Sequence, residues 1–481
     1  MNAGDSVARD LRGLAVGDVR ADAPSRRAYS RDFGGLVRRH PLVVVRPGRV
    51  SDVARVLRYA SAARLPVTAR GAGHSQSGQS LSDDGIVVDL RALHGVSAID
   101  ERAPRAHCLA GTTWLELLRA TLPVGLVPPV LTDNAFTTVG GTHAVGGVGS
   151  ASYRHGMQID QCDGLTLALA SGDVMSCSDA YNTDAFELSL GGLGQLGIVT
   201  NVSLRLRPMG GDVLSLTLRD LHPEVLFDAA RSALQASDAT TAHLAARWRD
   251  GAWRPVLGAT APARTDAARA LLAIGAATPV ARRRAVERTP PVHLDACLGL
   301  NGSPSTRPLP VTDTLAAERP AAPSVEAFLP VDAARATFAE LCALPLADCF
   351  SAGVLIVLFL DRTTLTRPLA TMPAARDLAL VGFYPIIAAG REVDGKRTVL
   401  DVATRLVRRG GTRYLPGLLS DDHDWAAQFA DHWERFRDMK RALDPHGVVN
   451  RGAVRFTFAP APRPATMAAL PAHVREFETT S

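Results

Sequence analysis

Several features that would assign a function at once are scarce or missing in this chain of 481 residues. Lysine occurs only at positions 396 and 440, and the net charge of +5 includes no Lys/Arg block. Nucleic-acid binding is therefore not indicated, and we attribute the preference for arginine first to genome composition. No apolar run approaches the roughly 20 residues of a membrane span, so we expect no membrane partner.

Familiar nucleotide and metal motifs are also missing. No Gly-x-Gly-x-x-Gly opens a helix and no Gly-Lys-Ser/Thr is present, which argues against a Rossmann fingerprint and a P-loop. The six cysteines form no Cys-x-x-Cys pair and fit reduced thiols better than disulfides or zinc ligands, so we expect no metal. The first 26 residues lack the apolar segment of a signal peptide, and we expect a cytoplasmic protein.

The overall composition is that of an ordinary globular protein, with 46% apolar and 21% charged residues. This balance argues against general disorder, and the length allows two or three domains. Short β-rich runs at 42–46, 65–68 and 86–90 alternate with helical patterns, one of them capped by Ser51 and Asp52. We therefore predict a first domain that mixes helices and strands.

This first part of the sequence is organised around a glycine-rich loop, Arg70-Gly71-Ala72-Gly73-His74-Ser75, which lies between two predicted strands. Its small residues let the backbone turn tightly and approach a ligand, and consecutive N–H groups form a nest for an anion such as pyrophosphate. His74 would then lie beside that ligand. Taken alone, the motif fits a strand connector with a solvated histidine equally well.

Two further glycine-rich stretches follow the first. One runs from 128 to 156, and the other is Gly191–Gly197. The density of glycine in the first stretch predicts neither a helix nor a plain strand, and indicates backbone that lies flat against a ligand. One large ligand that contacts all three loops is a simpler explanation than three unrelated turns.

From Met209 onward the pattern changes to that of a second domain. Helical patterns cover 225–236 and 332–344, and the charged segment 425–443 predicts a helix with an aromatic stripe that favours core packing over a cofactor contact. Further strands are predicted at 213–218, 354–360, 378–383 and 454–456, surface loops at 259–264 and 302–323, and a loosely ordered tail after 457.

Taken in order, these motifs resemble the flavoproteins of the vanillyl-alcohol-oxidase type and, among them, the cytokinin dehydrogenases. The resemblance is dense up to about residue 207 and thin between 210 and 410. The residues that carry it are Asp32–Gly35, Arg70–Gln79, Thr132-Asp133, Thr138–Thr142, Arg154–Gly156, Gly191–Thr200, Tyr414–Pro416, Phe436, Lys440 and Leu443–Pro445.

The resemblance implies an α+β fold of two domains. Residues 1–210 would form an FAD-binding domain of two α+β subdomains, to which residues 431–481 return before ending in a tail. Residues 211–430 would form a substrate-binding domain, in which an antiparallel sheet flanked by helices covers the isoalloxazine ring.

The resemblance also implies FAD as the cofactor, bound covalently through a ring nitrogen of His74. A second, cysteinyl link is not expected, because Asn134–Thr137 stand where it would need a cysteine. Phe383, Tyr384 and Leu415 would line the substrate pocket. The other residues implied in FAD binding are Arg70, Gly71, Ala72, Gly73, Ser75, Gln79, Asp133, Thr138, Gly140, Gly141, Ala144, Val148, Gly194, Gly197, Val199, Tyr414 and Asn450.

Asp133 occupies the position of the family's active-site carboxylate. A carboxylate that accepts an N–H proton leaves electron density on the nitrogen, and this density promotes hydride transfer from the adjacent carbon. The resemblance thus implies that the enzyme oxidises the C–N bond that joins the isoprenoid substituent to the adenine of an N6-isopentenyladenine-type cytokinin, with O2 or a quinone as the electron acceptor. Without the resemblance, an aspartate at position 133 would fit equally a residue of a turn or of a helix cap.

Three positions depart from the family pattern: Ala144 replaces a serine, Pro385 a tryptophan of the substrate cavity, and Ala453 a glutamine that contacts flavin. Flavin binding should survive these changes, which bear mainly on the substrate. One alternative is an enzyme of the same fold that acts on a sugar, alditol or other alcohol and uses a His, Tyr or Lys base. Another is a flavin-binding protein without catalysis.

Overall fold

The computed structural model describes residues 3–209, 213–219, 221–236, 241–262, 265–276, 283–289, 319–454 and 456. The tail after 457 and most of the predicted loop at 302–323 lie outside the described residues. Within the described part the strands form four sheets, of four, five, two and eight strands.

The four-stranded sheet begins the first domain, and two of its pairings are parallel. Helix Val50–Ala63 begins before the predicted cap, because the Asp52 carboxylate reaches back from the first turn to accept the N–H groups of Gly48 and Arg49 at 2.9 and 3.1 Å. In sheet order the strands are Asp18–Arg20, Val43–Arg46, Ile86–Asp89 and Val67–Arg70, and the other helices are Ala3–Gly13 and Ala23–Ala28.

A five-stranded antiparallel sheet forms the second half of this domain, and it contains a hairpin around Ser171-Gly172. Its strands, in sheet order, are Val96–Asp100, Arg105–Leu109, Ile198–Arg205, Cys162–Ala168 and Val174–Cys177. The small sheet pairs Leu126–Val127 with Arg207–Pro208, and the helices are Trp114–Thr121, Val139–His143, Ser152–His155 and Thr183–Ser189.

The prediction that the glycine-rich stretch 128–156 contains no helix is wrong for two short segments, Val139–His143 and Ser152–His155. Val139–His143 is helical because Thr138 caps it, its Oγ1 accepting the Gly141 N–H at 3.3 Å. Gly146 and Gly147 follow with φ of +123° and +77°, which agrees with the expected need for glycine.

The second domain is built on the eight-stranded sheet, in which every pairing is antiparallel. Strand Ala252–Pro262 replaces part of the loop predicted at 259–264, because Ala259 and Ala261 face the core as alternate residues of a strand. The order is Arg283–Thr289, Val213–Arg219, Ala252–Pro262, Thr241–Arg249, Phe350–Asp361, Asp377–Ile387, Val325–Pro330 and Thr412–Arg413.

The two faces of this sheet pack against different partners. One face is covered by helices and includes Val381 and Phe383 in its core, whereas the other contributes Leu380 and Phe328 to the core of the first domain. Because successive strand residues point to opposite faces, Gly382 and Tyr384 also point toward the first domain. The covering helices are Pro223–Ala236, Asp266–Ala276, Val331–Ala343 and Glu392–Arg408.

The predicted helix at 425–443 is interrupted. It consists of Trp425–Phe429 and Trp433–Leu443, which are separated by a 3-10 turn at Ala430–His432 where Ala430 has a φ of +44°. The aromatic stripe packs in a core as predicted, with Phe429 and Phe436 fully buried.

The segment after this helix returns to the first sheet, through Val449 rather than through the strand predicted at 454–456. Val67 donates its N–H to the Val448 carbonyl and accepts the Asn450 N–H, both at 2.8 Å. Residues 451–454 form turns instead of a strand, because they lie beyond this short parallel bridge. The exact domain boundaries stay predictions.

Candidate active site

The three glycine-rich stretches converge. A Cβ atom at Gly71 would lie only 2.2 Å from Thr138 Oγ1, so the first two loops approach each other more closely than a side chain would allow. Asn450 joins the third loop to the first: its Nδ2 donates to the Gly194 carbonyl at 2.6 Å, and its Oδ1 accepts the Ala69 N–H at 3.0 Å. The expectation of one shared site is consistent with this geometry.

His74 is oriented by Asn134. The Asn134 Oδ1 accepts the Phe136 N–H at 3.0 Å, so its Nδ2 faces His74 Nε2, at 2.9 Å, as the donor. The Nδ1 of His74 is buried and has no hydrogen-bond partner among the described residues. Burial and then the charge of Arg70 lower the pKa of His74 to about 3, so the imidazole is neutral.

The loop around His74 is held by protein contacts on several sides. Gly73 has a φ of +74°, and a Cβ there would come within 2.6 Å of the Arg70 guanidinium, which is itself fully buried. Gln79 donates to the Leu415 carbonyl at 2.9 Å, and the Ser75 hydroxyl donates to that of Ser80 at 3.2 Å. These contacts fix the position of the histidine before any ligand binds.

Asp133, next to Asn134, faces a buried group of ionisable side chains. Burial and then the charge of Glu326 raise the pKa of the Asp133 carboxyl to about 7, and burial raises that of Glu326 to about 7 as well. Tyr384 is a hydrogen-bond partner of Glu326, and burial followed by the two carboxylate charges holds its pKa well above the usual range. Proton-accepting and proton-donating groups thus meet where the two domains face each other.

Tyr414 and Leu415 lie at the edge of this group. The Tyr414 hydroxyl accepts the Gly147 N–H at 2.9 Å, and its backbone N–H donates to the Glu326 carbonyl at 3.0 Å. Leu415 packs among the aromatic side chains of the C-terminal segment.

The structure does not bring every predicted site residue to this place. Phe383 lies on the helix side of the sheet, where it packs against Trp253 and Phe350, so its predicted contact with the substrate is incorrect. The physical reason is strand alternation, which turns Phe383 away whenever Tyr384 faces the site. Val199 is buried in the core of the first domain.

Sequence reasoning missed two residues of the site. Glu326 interrupts an apolar run, Val325–Pro330, that was not recognised as a strand, although a single carboxylate in such a run was the available signal. Phe33 packs on the His74 ring with the centroids 4.7 Å apart, and no local pattern predicts that contact.

The residues present fit a covalently held FAD. His74 offers a neutral imidazole whose Nδ1 is unpartnered among the described residues, and the loops that meet around it leave no room for side chains at Gly71 and Gly73. Gly146 adds a similar position, where a Cβ would contact Met157 and approach the Tyr414 ring.

Comparison with known proteins agrees with this geometry. Residues 41–178 match the family model described as FAD binding domain. This part of the protein is similar to FAD-binding domains. The resemblance to cytokinin dehydrogenases is also confirmed, over about two fifths of the chain.

Two of these relatives illustrate the extent of the similarity. The chain is 43% identical over 175 residues, 36% of its length, to an oxidoreductase of the fasciation locus of Rhodococcoides fascians, of which 40% is covered. It is 39% identical over 206 residues, 41% of its length, to cytokinin dehydrogenase 7 of Oryza sativa subsp. japonica, of which 39% is covered. The match therefore spans about two fifths of the length of these relatives.

Solved structures share the fold across both domains. Xylooligosaccharide oxidase from Myceliophthora thermophila C1 is 17% identical with a TM-score of 0.73, and the match covers 92% of the present protein and 97% of the oxidase. 6-Hydroxy-D-nicotine oxidase from Arthrobacter nicotinovorans is 20% identical with a TM-score of 0.69, and the match covers 90% of the present protein and 96% of that oxidase. These identities establish the fold alone, and the predicted α+β flavoprotein fold is confirmed.

Proposed function

We propose that this protein is an FAD-dependent oxidoreductase that acts on a cytokinin-like, N6-substituted adenine and oxidises the C–N bond of its N6 substituent. The observation that carries the proposal is the half-buried Asp133 carboxyl, one residue from the Asn134 that orients His74. The similarity to cytokinin dehydrogenases, 39% identity over 206 residues for cytokinin dehydrogenase 7, supports the choice of substrate class.

In the proposed reaction Asp133 handles the substrate proton. FAD, when bound, supplies the hydride acceptor. The ionised Asp133 accepts the N–H proton, so that the nitrogen electron pair forms the imine bond as hydride leaves the adjacent carbon. Water then splits the imine into adenine and an unsaturated aldehyde. His74 would hold the cofactor through Nδ1, which gives up its ring proton on bonding because Nε2 accepts from Asn134. The electrons taken from the substrate would pass on to O2 or a quinone.

The pH dependence of the reaction follows from the pKa of Asp133. Because only the ionised carboxylate accepts a proton and its pKa is about 7, kcat/KM should rise with pH up to about 7 and level off above it. Asp133→Asn should lower kcat/KM by roughly 10²–10⁴-fold and remove this rising limb. Stopped-flow flavin reduction by isopentenyladenine under anaerobic conditions measures both effects.

The controls separate the cofactor from the substrate. Acid-precipitated protein should keep its flavin in the pellet, whereas His74→Ala should release it or bind none. If wild-type protein holds flavin but isopentenyladenine does not reduce it, the proposed substrate is wrong and the cofactor assignment stands.

A second candidate is oxidation of a sugar or another alcohol. The Tyr384 hydroxyl, in contact with Glu326, faces the same group as Asp133 and is the type of base that such a reaction needs. Glucooligosaccharide oxidase from Acremonium strictum, which carries a 6-S-cysteinyl, 8α-N1-histidyl FAD, shares the fold with 17% identity and a TM-score of 0.74. The match covers 92% of the present protein and 97% of that oxidase. Flavin reduction by a panel of oligosaccharides and alditols, with a Tyr384→Phe control, would identify this activity.

A further inference from the structure

The ring of Phe33 contacts both His74 and an arginine of the second domain. Its centroid lies 4.7 Å from that of the His74 imidazole, and the two planes are tilted by 36°. The guanidinium carbon of Arg319 lies over the Phe33 ring, 5.1 Å from the centroid, and Arg319 is only 7% exposed. A cation over an aromatic face is held more firmly when it is withdrawn from water, so this contact is of the stronger kind.

Arg319 also holds the backbone that carries Phe33. Its guanidinium donates hydrogen bonds to the carbonyls of Asp32 and Phe33. The planar fork of an arginine can serve two acceptors and an aromatic ring together, whereas a lysine ammonium is a single point charge. Arg319 therefore fixes the ring of Phe33 and its backbone at the same time.

Contacts in the opposite direction hold the segment of Arg319 in turn. Arg31 Nη1 donates to the Arg319 carbonyl at 2.6 Å, and the Ala322 N–H donates to the Gly34 carbonyl at 3.0 Å. Residues 31–34 and 319–322 thus exchange hydrogen bonds in both directions. The two domains are joined at the turn that carries Phe33.

The same turn is bonded to the loop that carries His74. The Asp32 Oδ1 accepts the Gly35 N–H at 2.8 Å, which closes the turn around Phe33. The Phe33 N–H donates to the Ser75 carbonyl at 3.2 Å, one residue after His74. The backbone and the ring of Phe33 thus both reach the histidine loop, so a change in the position of Phe33 alters the surroundings of the imidazole.

The imidazole needs this second contact, because the hydrogen bond from Asn134 fixes only one edge of it. The terminal torsion of a histidine side chain has a broad energy well, and a ring packed on the imidazole restricts rotation within it. We propose that Arg319 is a positioning residue for the covalent link of FAD to His74, and that it acts by holding Phe33 against the imidazole. The second domain then takes part in attaching the cofactor.

The inference rests on the proposed link at His74 and not on the identity of the substrate. Forming the link exchanges the Nδ1–H bond of His74 and a methyl C–H bond of FAD for one C–N bond. The two electrons and two protons released reduce the FAD, and O2 then reoxidises it and forms H2O2. The rate of this bond formation depends on how well the imidazole is oriented, and this is the property that Arg319 controls.

Arg319→Gln tests the inference through the rate of linkage. Full-length protein from riboflavin-limited cells receives saturating FAD, and intact mass follows the linked fraction over time. The rate constant should fall by about tenfold, the order expected for the loss of one desolvated cation–π contact. Arg319→Lys, which keeps the cation but not the fork, should restore part of the rate. An unchanged rate in Arg319→Gln overturns the proposal.

Arg367→Gln is the matched control. Arg367 is 9% exposed and its guanidinium carbon lies 4.8 Å from the centroid of the Phe186 ring, so the same change removes a similar contact from a different ring. Urea unfolding should show a loss of stability in both variants, whereas linkage should slow in Arg319→Gln alone. Equal slowing in the two variants would mean that stability and not positioning limits linkage, and it would also overturn the proposal.

Phe33→Leu tests whether Arg319 acts through the aromatic ring. Leucine keeps an apolar side chain but lacks the aromatic face, so linkage should slow by a similar factor. Adding Arg319→Gln to Phe33→Leu should then change the rate by no more than about twofold, whereas independent effects would multiply and contradict the proposal. A wild-type protein that binds FAD without any covalent link would instead refute the link at His74, and this inference with it.

Discussion

At the scale of single residues, the imidazole of His74 is prepared by a neighbour that carries no charge. Asn134 uses its oxygen for the Phe136 N–H, so only its amino group is left to face His74 Nε2. Nε2 accepts this hydrogen bond, and burial keeps the ring neutral with a pKa of about 3, so the single ring proton lies on Nδ1. Nδ1 can therefore bond to a ligand only as it gives up this proton.

Asn134→Leu should therefore reduce the covalently bound fraction of FAD while leaving bound flavin in the protein. Leucine has a similar volume but no donor, so the ring loses the contact that selects Nδ1. Flavin fluorescence of the denatured protein in a gel, together with intact mass, measures the covalently linked fraction. His74→Ala is the control in which no linked flavin is expected. Complete linkage in Asn134→Leu would contradict the role given to this asparagine.

At the scale of elements, strand alternation decides which residues reach the site. Tyr384 and Phe383 are adjacent in sequence, yet one contacts Glu326 and the other packs against Trp253 under the helices. The same alternation places Gly382 beneath the Tyr384 ring. Glycine is thus needed at position 382 to leave room for the Tyr384 ring, and not because of its backbone conformation.

Gly382→Ala should lower the free energy of unfolding by about 1–3 kcal/mol, because the new methyl group displaces the Tyr384 ring. Gly13→Ala at the end of the helix Ala3–Gly13 is the matched control. A Cβ there meets no atom within 4 Å, and the unfolding free energy should stay the same or rise slightly. Urea denaturation measures both, and equal effects of the two changes would contradict this account.

At the scale of the whole molecule, the C-terminal segment ties the first domain together. Lys440 is 1% exposed and pairs with Asp444 at 2.7 Å. Its Nζ also donates to the carbonyls of Gln195 at 2.7 Å and Val449 at 2.8 Å. One buried ammonium thus joins the third glycine-rich loop to the return that bonds Val67.

Lys440→Met should cost roughly 3–5 kcal/mol of stability, because it leaves the Asp444 carboxylate buried without its cation. Lys396→Met, at the other lysine of the sequence, removes an exposed pair with Asp421 and should cost less than about 1 kcal/mol. Denaturant unfolding compares the two. We also expect Lys440→Met to weaken FAD retention. If the unfolding free energy of Lys440→Met equals that of Lys396→Met, the contacts of Lys440 do not stabilise the first domain.

How far prediction from the sequence reached depended on how local each signal was. The β-rich runs at 42–46, 65–68 and 86–90 depend on neighbouring residues, and a strand occurs at each of them. The helix break at Ala430 and the return through Val449 depend on distant contacts, and both were missed. Phe383 was misplaced because the two faces of its strand are equally apolar at that point.

The sequence by itself predicted one large ligand for three glycine-rich loops and a histidine, and the resemblance carried by its ordered motifs implied that this ligand is FAD. Such predictions were possible because glycine spacing and the residues beside it are local and chemically specific. Only the tertiary structure decided that Asn134 orients His74, and that Glu326 and Tyr384 meet across two strands near Asp133. Such partners lie far apart in the sequence, as Asp133 and Glu326 do, and only sheet register and domain packing bring them together.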